Sequence, residues 1–305
     1  MKHLFPFFNP LSSLLLAAFF FFSCSERQHF EDTPTSGVVN ISIDESYTLL
    51  FQNQIYTFQN LYERAKVNVR YRTEKQALED LMSDSSKVAV LNRELTKDEI
   101  TTFEKKNVFP KTIKIAEDAV ALIINPLCTD TTITVDKLKG LLAGVDSSGP
   151  ISGKKLSLVF DNNESTNARF MRKLIDNKPL SPNCFSLSNN DEVIDYVAKN
   201  QYSIGIISVN WISDRDDTLS QRFLSKVRVV ALANNENSSY FKPYQAYILT
   251  KQYPLTRSVY MINRQTRAGL GTGFVSFVAG EKGQRMIKLQ GMVPASMPVR
   301  LVEIK

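Results

Sequence analysis

The sequence predicts an α/β protein built as two lobes. Three observations carry that prediction. Short apolar runs with the composition of buried strands alternate with stretches whose apolar residues recur at helical spacing. Residues 38 to 305 are more chain than one compact core usually holds. An apolar run over residues 119–124 is halted by Asn125-Pro126, and a strand-like return follows at Tyr247-Ile248-Leu249. One lobe is therefore expected over residues 38–124 and 244–305, and the other over residues 125–241.

The chain opens with Lys2, an apolar block to Phe22, then Ser23-Cys24. A basic start, a short apolar region and a small residue before a cleavage point describe a secretory signal over residues 1–23. The block is too short to favour a spanning helix. A small residue directly before Cys24 resembles the bacterial lipoprotein cleavage box, which makes Cys24 the lipid-bearing first mature residue. A plain secreted protein with an incidental cysteine is the other reading. Residues 24–37 are polar and aperiodic, a tether. The protein is then expected in the cell envelope, lipid-anchored and facing the periplasm or exterior.

Taken in order, residues 38–43 alternate as a strand, and Asp44-Glu45-Ser46 leads into a helix carrying Leu50, Ile55 and Phe58. Residues 67–71 form the second strand, and Thr73-Glu74 starts a helix with Ala77, Leu78 and Leu81 on one face. The third strand, residues 87–91, ends in Asn92-Arg93-Glu94. Thr96 with Glu99 is a capping-box pattern. Residues 113–115 and 119–124 are strand-like. Thr134 opens a helix that stops at Gly144, and a Gly/Ser/Pro loop over 146–153 follows.

Residues 156–160 are an apolar strand, Asp161 to Glu164 a polar turn, and Ser165-Thr166-Asn167 a helix opening. Free N–H groups and a positive dipole end make this a ready anion site, although an ordinary capped helix after a strand has the same spacing. Asn190-Asp191 caps a further helix. Residues 203–208 form a buried strand in which Gly205 allows close backbone approach. Residues 227–232, 257–262 and 299–304 are strand-like, and helical faces surround Gly280 and Gly283.

The formal net charge is +6, to which the first 23 residues add only Lys2. Basic residues are interspersed with acids, so no nucleic-acid patch is expected. The two histidines are His3 and His29, both before the folded body. That excludes Ser-His-Asp and Cys-His catalysis and His-ligated zinc; neither an enzyme nor a cofactor is expected. With Cys24 lipidated, Cys128 and Cys184 remain as an even pair in an oxidising compartment, a candidate disulfide.

From residue 38 to 305 these pieces resemble the phosphate-binding proteins of bacterial ABC transporters, the PstS-like branch of the type II periplasmic binding-protein superfamily. The marks are the strand into Asp44-Glu45-Ser46, residues 88–95, residues 115–126, residues 134–144, Glu164-Ser165-Thr166, residues 253–260 and the helix block 274–291. The resemblance implies two α/β lobes joined by hinge strands, with phosphate or a related oxyanion between them. It implies ligand contacts from Asp44, Glu45 and Ser46, from Asn92 and Arg93, and from Ser165, Thr166 and Asn167.

Three departures stand out. The family usually has Gly-Ser-Thr or Gly-Ser-Ser where this chain has Asp44-Glu45-Ser46. It usually has Arg where this chain has Asp161, and Ser-Gly-Thr at Ser165-Thr166-Asn167. Arg93 and Arg169 can compensate for the added acids, or Arg169 can pair with Glu164 or Asp161 on the surface. Asp161 or Asp44 can accept the proton of hydrogen phosphate. The expected function is a monomeric receptor feeding an ABC permease. The alternative is a sensory or scaffold lipoprotein of the same fold with changed or lost ligand binding.

Overall fold

The computed structural model describes residues 31–145, 156–214 and 216–296. The leader, Cys24, His29, the loop 146–153 and the strand expected at 299–304 lie outside the described residues. Strand β1 (Gly37–Asp44) runs parallel to β2 (Ala65–Arg72), from Gly37 opposite Ala65 to Asp44 opposite Arg72. Helix α1 (Thr48–Leu61), entered through a 3-10 turn at Glu45–Tyr47, joins them. Helix α2 (Glu74–Met82) starts on a Thr73–Gln76 capping box and leads to β3 (Val88–Leu91), parallel to β1 on its other side. Helix α3 (Lys97–Glu104) has the capping box read from Thr96 and Glu99.

Strand β4 (Lys111–Ile124) serves both lobes. Its first part pairs antiparallel with β11 (Thr256–Asn263), and its last residues, 120 to 124, pair antiparallel with β8 (Ser203–Ser208). Between them run β5 (Thr132–Thr134), α4 (Val135–Ala143), β6 (Ser157–Phe160), α5 (Thr166–Leu174), β7 (Cys184–Ser186) and α6 (Asn190–Lys199). Gly144 ends α4 at φ 74°, a left-handed stop that glycine adopts without a Cβ penalty. After β8 come a 3-10 turn (Val209–Trp211), α7 (Thr218–Lys226), β9 (Arg228–Val229), β10 (Ala231–Ala233) and α8 (Gln245–Leu249). The chain then passes through β11 to α9 (Leu270–Ala279), α10 (Glu281–Leu289) and β12 (Val293–Pro294). The strand order is β2-β1-β3-β11-β4-β8-β6-β7.

Two cores flank the crossing. One holds Ile41, Phe51, Phe58, Ala116, Val259 and Phe274; the other holds Ala119, Leu122, Phe160, Met171, Val193 and Leu255. The apolar packing thus changes lobe between Ala116 and Ala119 on β4 and between Leu255, just before β11, and Val259 on it. Ile248 and Tyr253 also pack in the second core.

Four sequence expectations are corrected. Residues 247–249 are not a strand but part of helix α8, which is entered from Tyr244; the Tyr247 ring lies 6.2 Å from that of Tyr244 and packs on Phe241 with ring centroids 4.8 Å apart. Residues 227–232 split into β9 on β4 and β10 on β5. Asn189, not Asn190, caps α6. Cys128 and Cys184 are free thiols rather than a bridge. The Cys128 thiol donates to the Gln201 carbonyl at 3.1 Å, while the Cys184 sulfur lies 4.0 Å from the Leu142 carbonyl. The end of the expected tether is docked: Asp32 accepts the Leu270 N–H at 2.8 Å, capping α9 from outside its own segment.

Candidate functional site

Asp44, Glu74, Asn92, Asp161 and Asn210 share one design: each lies at or just after the carboxyl end of a strand, where the crevice of an α/β sheet lies. Asp44 caps the 3-10 turn by accepting the Ser46 N–H at 2.9 Å. Its other oxygen accepts the Thr166 hydroxyl at 2.5 Å, a bond that joins the helix starts of opposite lobes. Ser165 caps α5 through the Ala168 N–H at 3.1 Å and donates its hydroxyl to Asp161 at 2.5 Å. Asn167 and Asn190 donate to the other Asp161 oxygen at 3.0 and 3.3 Å. Asn210 donates to the Ser46 carbonyl at 2.8 Å.

Asp44, Ser46, Glu74, Asp161, Ser165, Thr166 and Asn167 are all fully buried. The structure therefore brings together Asp44, Ser46, Asp161, Ser165, Thr166 and Asn167 from the expected set. Glu45 adjoins them, half-buried, with one carboxylate oxygen lacking a partner among the described residues. Asn92 stands apart, lining a neighbouring cavity.

The two expected cations are committed elsewhere. Arg93 donates Nε to Glu74 at 2.8 Å and grips Glu99 with both terminal nitrogens at 2.8 Å. Arg169 donates Nη1 to Glu74, rather than pairing with Glu164 or Asp161. Glu74 is thus a buried acceptor for an arginine from each lobe. Sequence reading took it for a helix start only. Its position behind β2, matching that of Asp44 behind β1, was the available signal.

Arg257 is the other residue that sequence reading left out of the site. It is buried on β11, bonded through Nε to Asp118 at 2.8 Å, with its guanidinium carbon 5.7 Å from the centre of the Tyr47 ring. The Ser46 hydroxyl, the Tyr47 hydroxyl and Arg257 Nη1 are buried donors without partners among the described residues.

Burial dominates the titration of the site. It lifts Asp44 from the usual carboxylate range to about 6, against hydrogen bonds from Thr166 and Ser46 that lower it. It lifts Glu45 to about 7, helped by the charges of Asp161 and Asp44. Asp161 is raised by burial against its Ser165 bond. Chemically, the site offers hydroxyl and amide donors at two helix starts, beside carboxyls whose affinity for a proton is raised by burial. Among the described residues no group of three or more His, Cys, Asp or Glu side chains is arranged to hold a metal ion. No described helix is long and apolar enough to cross a membrane.

A family model described as the PBP superfamily domain matches residues 30–282. The chain is 22% identical over 286 residues to the phosphate-binding protein PstS of Borreliella burgdorferi, covering 90% of this chain and 96% of that protein. The fold is similar to a putative phosphate ABC transporter substrate-binding protein from Clostridium perfringens, solved with bound phosphate. That match has a TM-score of 0.71 and 17% identity, and covers 85% of this chain and all of the other. An ABC-type phosphate transport receptor from Vibrio cholerae matches with a TM-score of 0.65 and 18% identity over 85% of this chain and all of that one. The two solved structures share the fold of this chain.

Proposed function

The chain belongs to the PBP superfamily, and from that premise we propose that it is a solute-binding lipoprotein that takes phosphate or a related small oxyanion between its lobes. One observation carries the reading: helix starts from opposite lobes meet at a buried point, Asp44–Ser46 against Ser165–Thr166, joined by the Thr166–Asp44 bond. In this reading Ser46 donates from one lobe, and Ser165, Thr166 and the N–H groups behind them donate from the other. Arg93 and Arg169 supply charge. Asp44 or Asp161 accepts the proton of hydrogen phosphate, which gives the added acids a purpose. Cys24 carries the lipid, and the loaded protein, a monomer, delivers its solute to an ABC permease without converting it. The named relatives, a phosphate-binding protein and two phosphate-transport receptors, support that class of ligand.

Calorimetric titration of phosphate and sulfate into phosphate-stripped protein tests the ligand. Phosphate is expected to bind and sulfate, unprotonated at neutral pH, to bind far more weakly. One charge-assisted hydrogen bond is worth about 1.5–3 kcal/mol, so Ser165→Ala is expected to weaken phosphate binding about tenfold or more. Equal affinity for both anions overturns the proton-accepting role. Labelling with radioactive palmitate, lost in Cys24→Ala, tests the anchor.

A second reading has its own observation. The Thr166 and Ser165 hydroxyls already donate to Asp44 and Asp161, and both arginines to Glu74, so the strong donors of the site have internal acceptors. A sensory or scaffold lipoprotein with changed or lost ligand binding accommodates that arrangement. Absence of any heat with phosphate selects it.

A further inference from the structure

Beside the buried cluster lies a cavity of about 640 Å3 lined from both lobes and from strand β11. It is far larger than one inorganic oxyanion needs and falls in the range of organic-ligand pockets, roughly 300–1,000 Å3. Helix α5 contributes four lining residues, Arg169, Phe170, Lys173 and Leu174. These form two i,i+4 pairs, one cationic and one apolar, side by side on the helix. Arg169 spends Nη1 on Glu74, and its remaining donors have no partner among the described residues. Lys173 has no side-chain partner among the described residues either. Arg257 lines the cavity from β11, and its buried Nη1 also lacks a partner. Tyr260, on the same strand, adds an aromatic wall. The carboxylate of Glu117, which also lines the cavity, is held by Lys114, Lys251 and Ser258.

Resting on the oxyanion reading of this cleft, we propose that the ligand is larger than free phosphate: a phosphomonoester whose organic body occupies the cavity. Its phosphoryl group engages the free donors of Arg169 and the Lys173 ammonium. A guanidinium fork and an ammonium together suit a dianionic phosphoryl group. The body packs against Phe170, Leu174 and Tyr260, whose apolar surfaces give nothing to inorganic phosphate. The nearby Glu94 carboxylate disfavours a second anionic group on that body.

The test is calorimetric titration of the stripped protein with phenyl phosphate and with inorganic phosphate, repeated in Lys173→Ala and Phe170→Ala. Phenyl phosphate is expected to bind about tenfold more tightly than inorganic phosphate. Phe170→Ala is expected to lose at least about fivefold in phenyl phosphate affinity while retaining the wild-type affinity for inorganic phosphate, and Lys173→Ala is expected to weaken both ligands. Circular dichroism checks that both variants fold. If inorganic phosphate binds and phenyl phosphate binds no better, or Phe170→Ala weakens the two ligands alike, or Lys173→Ala weakens neither, the enlarged-ligand proposal is overturned and the oxyanion reading stands. If phenyl phosphate binds and inorganic phosphate gives no heat, this proposal stands and the inorganic-phosphate reading fails. Heat from neither overturns both.

Discussion

Glu74 sets the electrostatic character of the site more than any residue that faces it in sequence. It is fully buried and accepts from Arg93 and Arg169, with the Thr166 hydroxyl 3.4 Å away. A buried carboxylate holding two guanidiniums is stable only while both stay; losing one side of such a group is costly. Glu74→Gln keeps the shape and removes the charge. Arg93 retains its two-nitrogen grip on Glu99, whereas Arg169, partly exposed, loses its carboxylate. A released guanidinium is then available to an anion in the cleft, and a repelling charge is gone. The expected outcome is phosphate affinity raised about tenfold, since one charge-assisted hydrogen bond is worth about 1.5–3 kcal/mol. Calorimetry reads it directly. Weaker binding in Glu74→Gln would instead mean that Glu74 holds the arginines in the geometry the ligand needs.

At the scale of elements, the recurring unit is a strand that ends in a polar residue and a helix start. It was legible wherever a local pattern carried it: the Thr73 helix start, the Thr96 capping box, the Gly144 stop and the Ser165 cap all stand where the residues predict them. Partner choice was not legible. Nothing local to Arg169 says that its acceptor is Glu74, 95 positions away, and nothing local to Thr166 points to Asp44, 122 positions away. Helix α8 was misread for a related reason, because Tyr247 favours strands until its ring finds Phe241. Gly205 shows how a local reading becomes a packing statement. A Cβ there would lie 2.8 Å from side-chain carbons of Ile123, Val193 and Val197, so β8 is pressed against β4 and α6 with no room for a methyl. Gly205→Ala should cost about 1–3 kcal/mol by overpacking. A thermal melt should show a lower midpoint with the fold retained. An unchanged midpoint would mean that α6 yields at no cost.

For the whole molecule, the crossing strands concentrate polar pairing at one level. Arg257 faces Asp118 and Ser258 faces Glu117 in register, between the two cores, so β4 and β11 are tied side by side where the lobes meet. Away from that level, Thr166–Asp44 and Arg169–Glu74 hold the lobes face to face. Separating the lobes would return Asp44 and Glu45 to water and to ordinary carboxylate behaviour. With the lobes together, burial holds Asp44 at about 6 and Glu45 at about 7. A carboxyl whose pKa is raised by closure binds its proton more tightly when closed, so closure takes up protons. It is favoured as pH falls from above 7 toward the ordinary carboxylate range, and opposed once both groups are charged. For Asp44, raised from 3.8 to about 6, the opposition at high pH is on the order of 3 kcal/mol. Burial also raises Asp161, which adds to the same trend, whereas Glu99 and Glu117, raised by burial but lowered more by their cationic partners, lose stabilisation only at more acidic pH. Stripped protein should therefore have a smaller radius of gyration by small-angle scattering at about pH 5.5 than at about pH 8. Asp44→Asn, which carries no charge and keeps one acceptor oxygen, should change radius less between the two conditions, with the remaining change due to Glu45. A wild-type radius that does not change between the two conditions would show that the buried carboxyls do not govern closure.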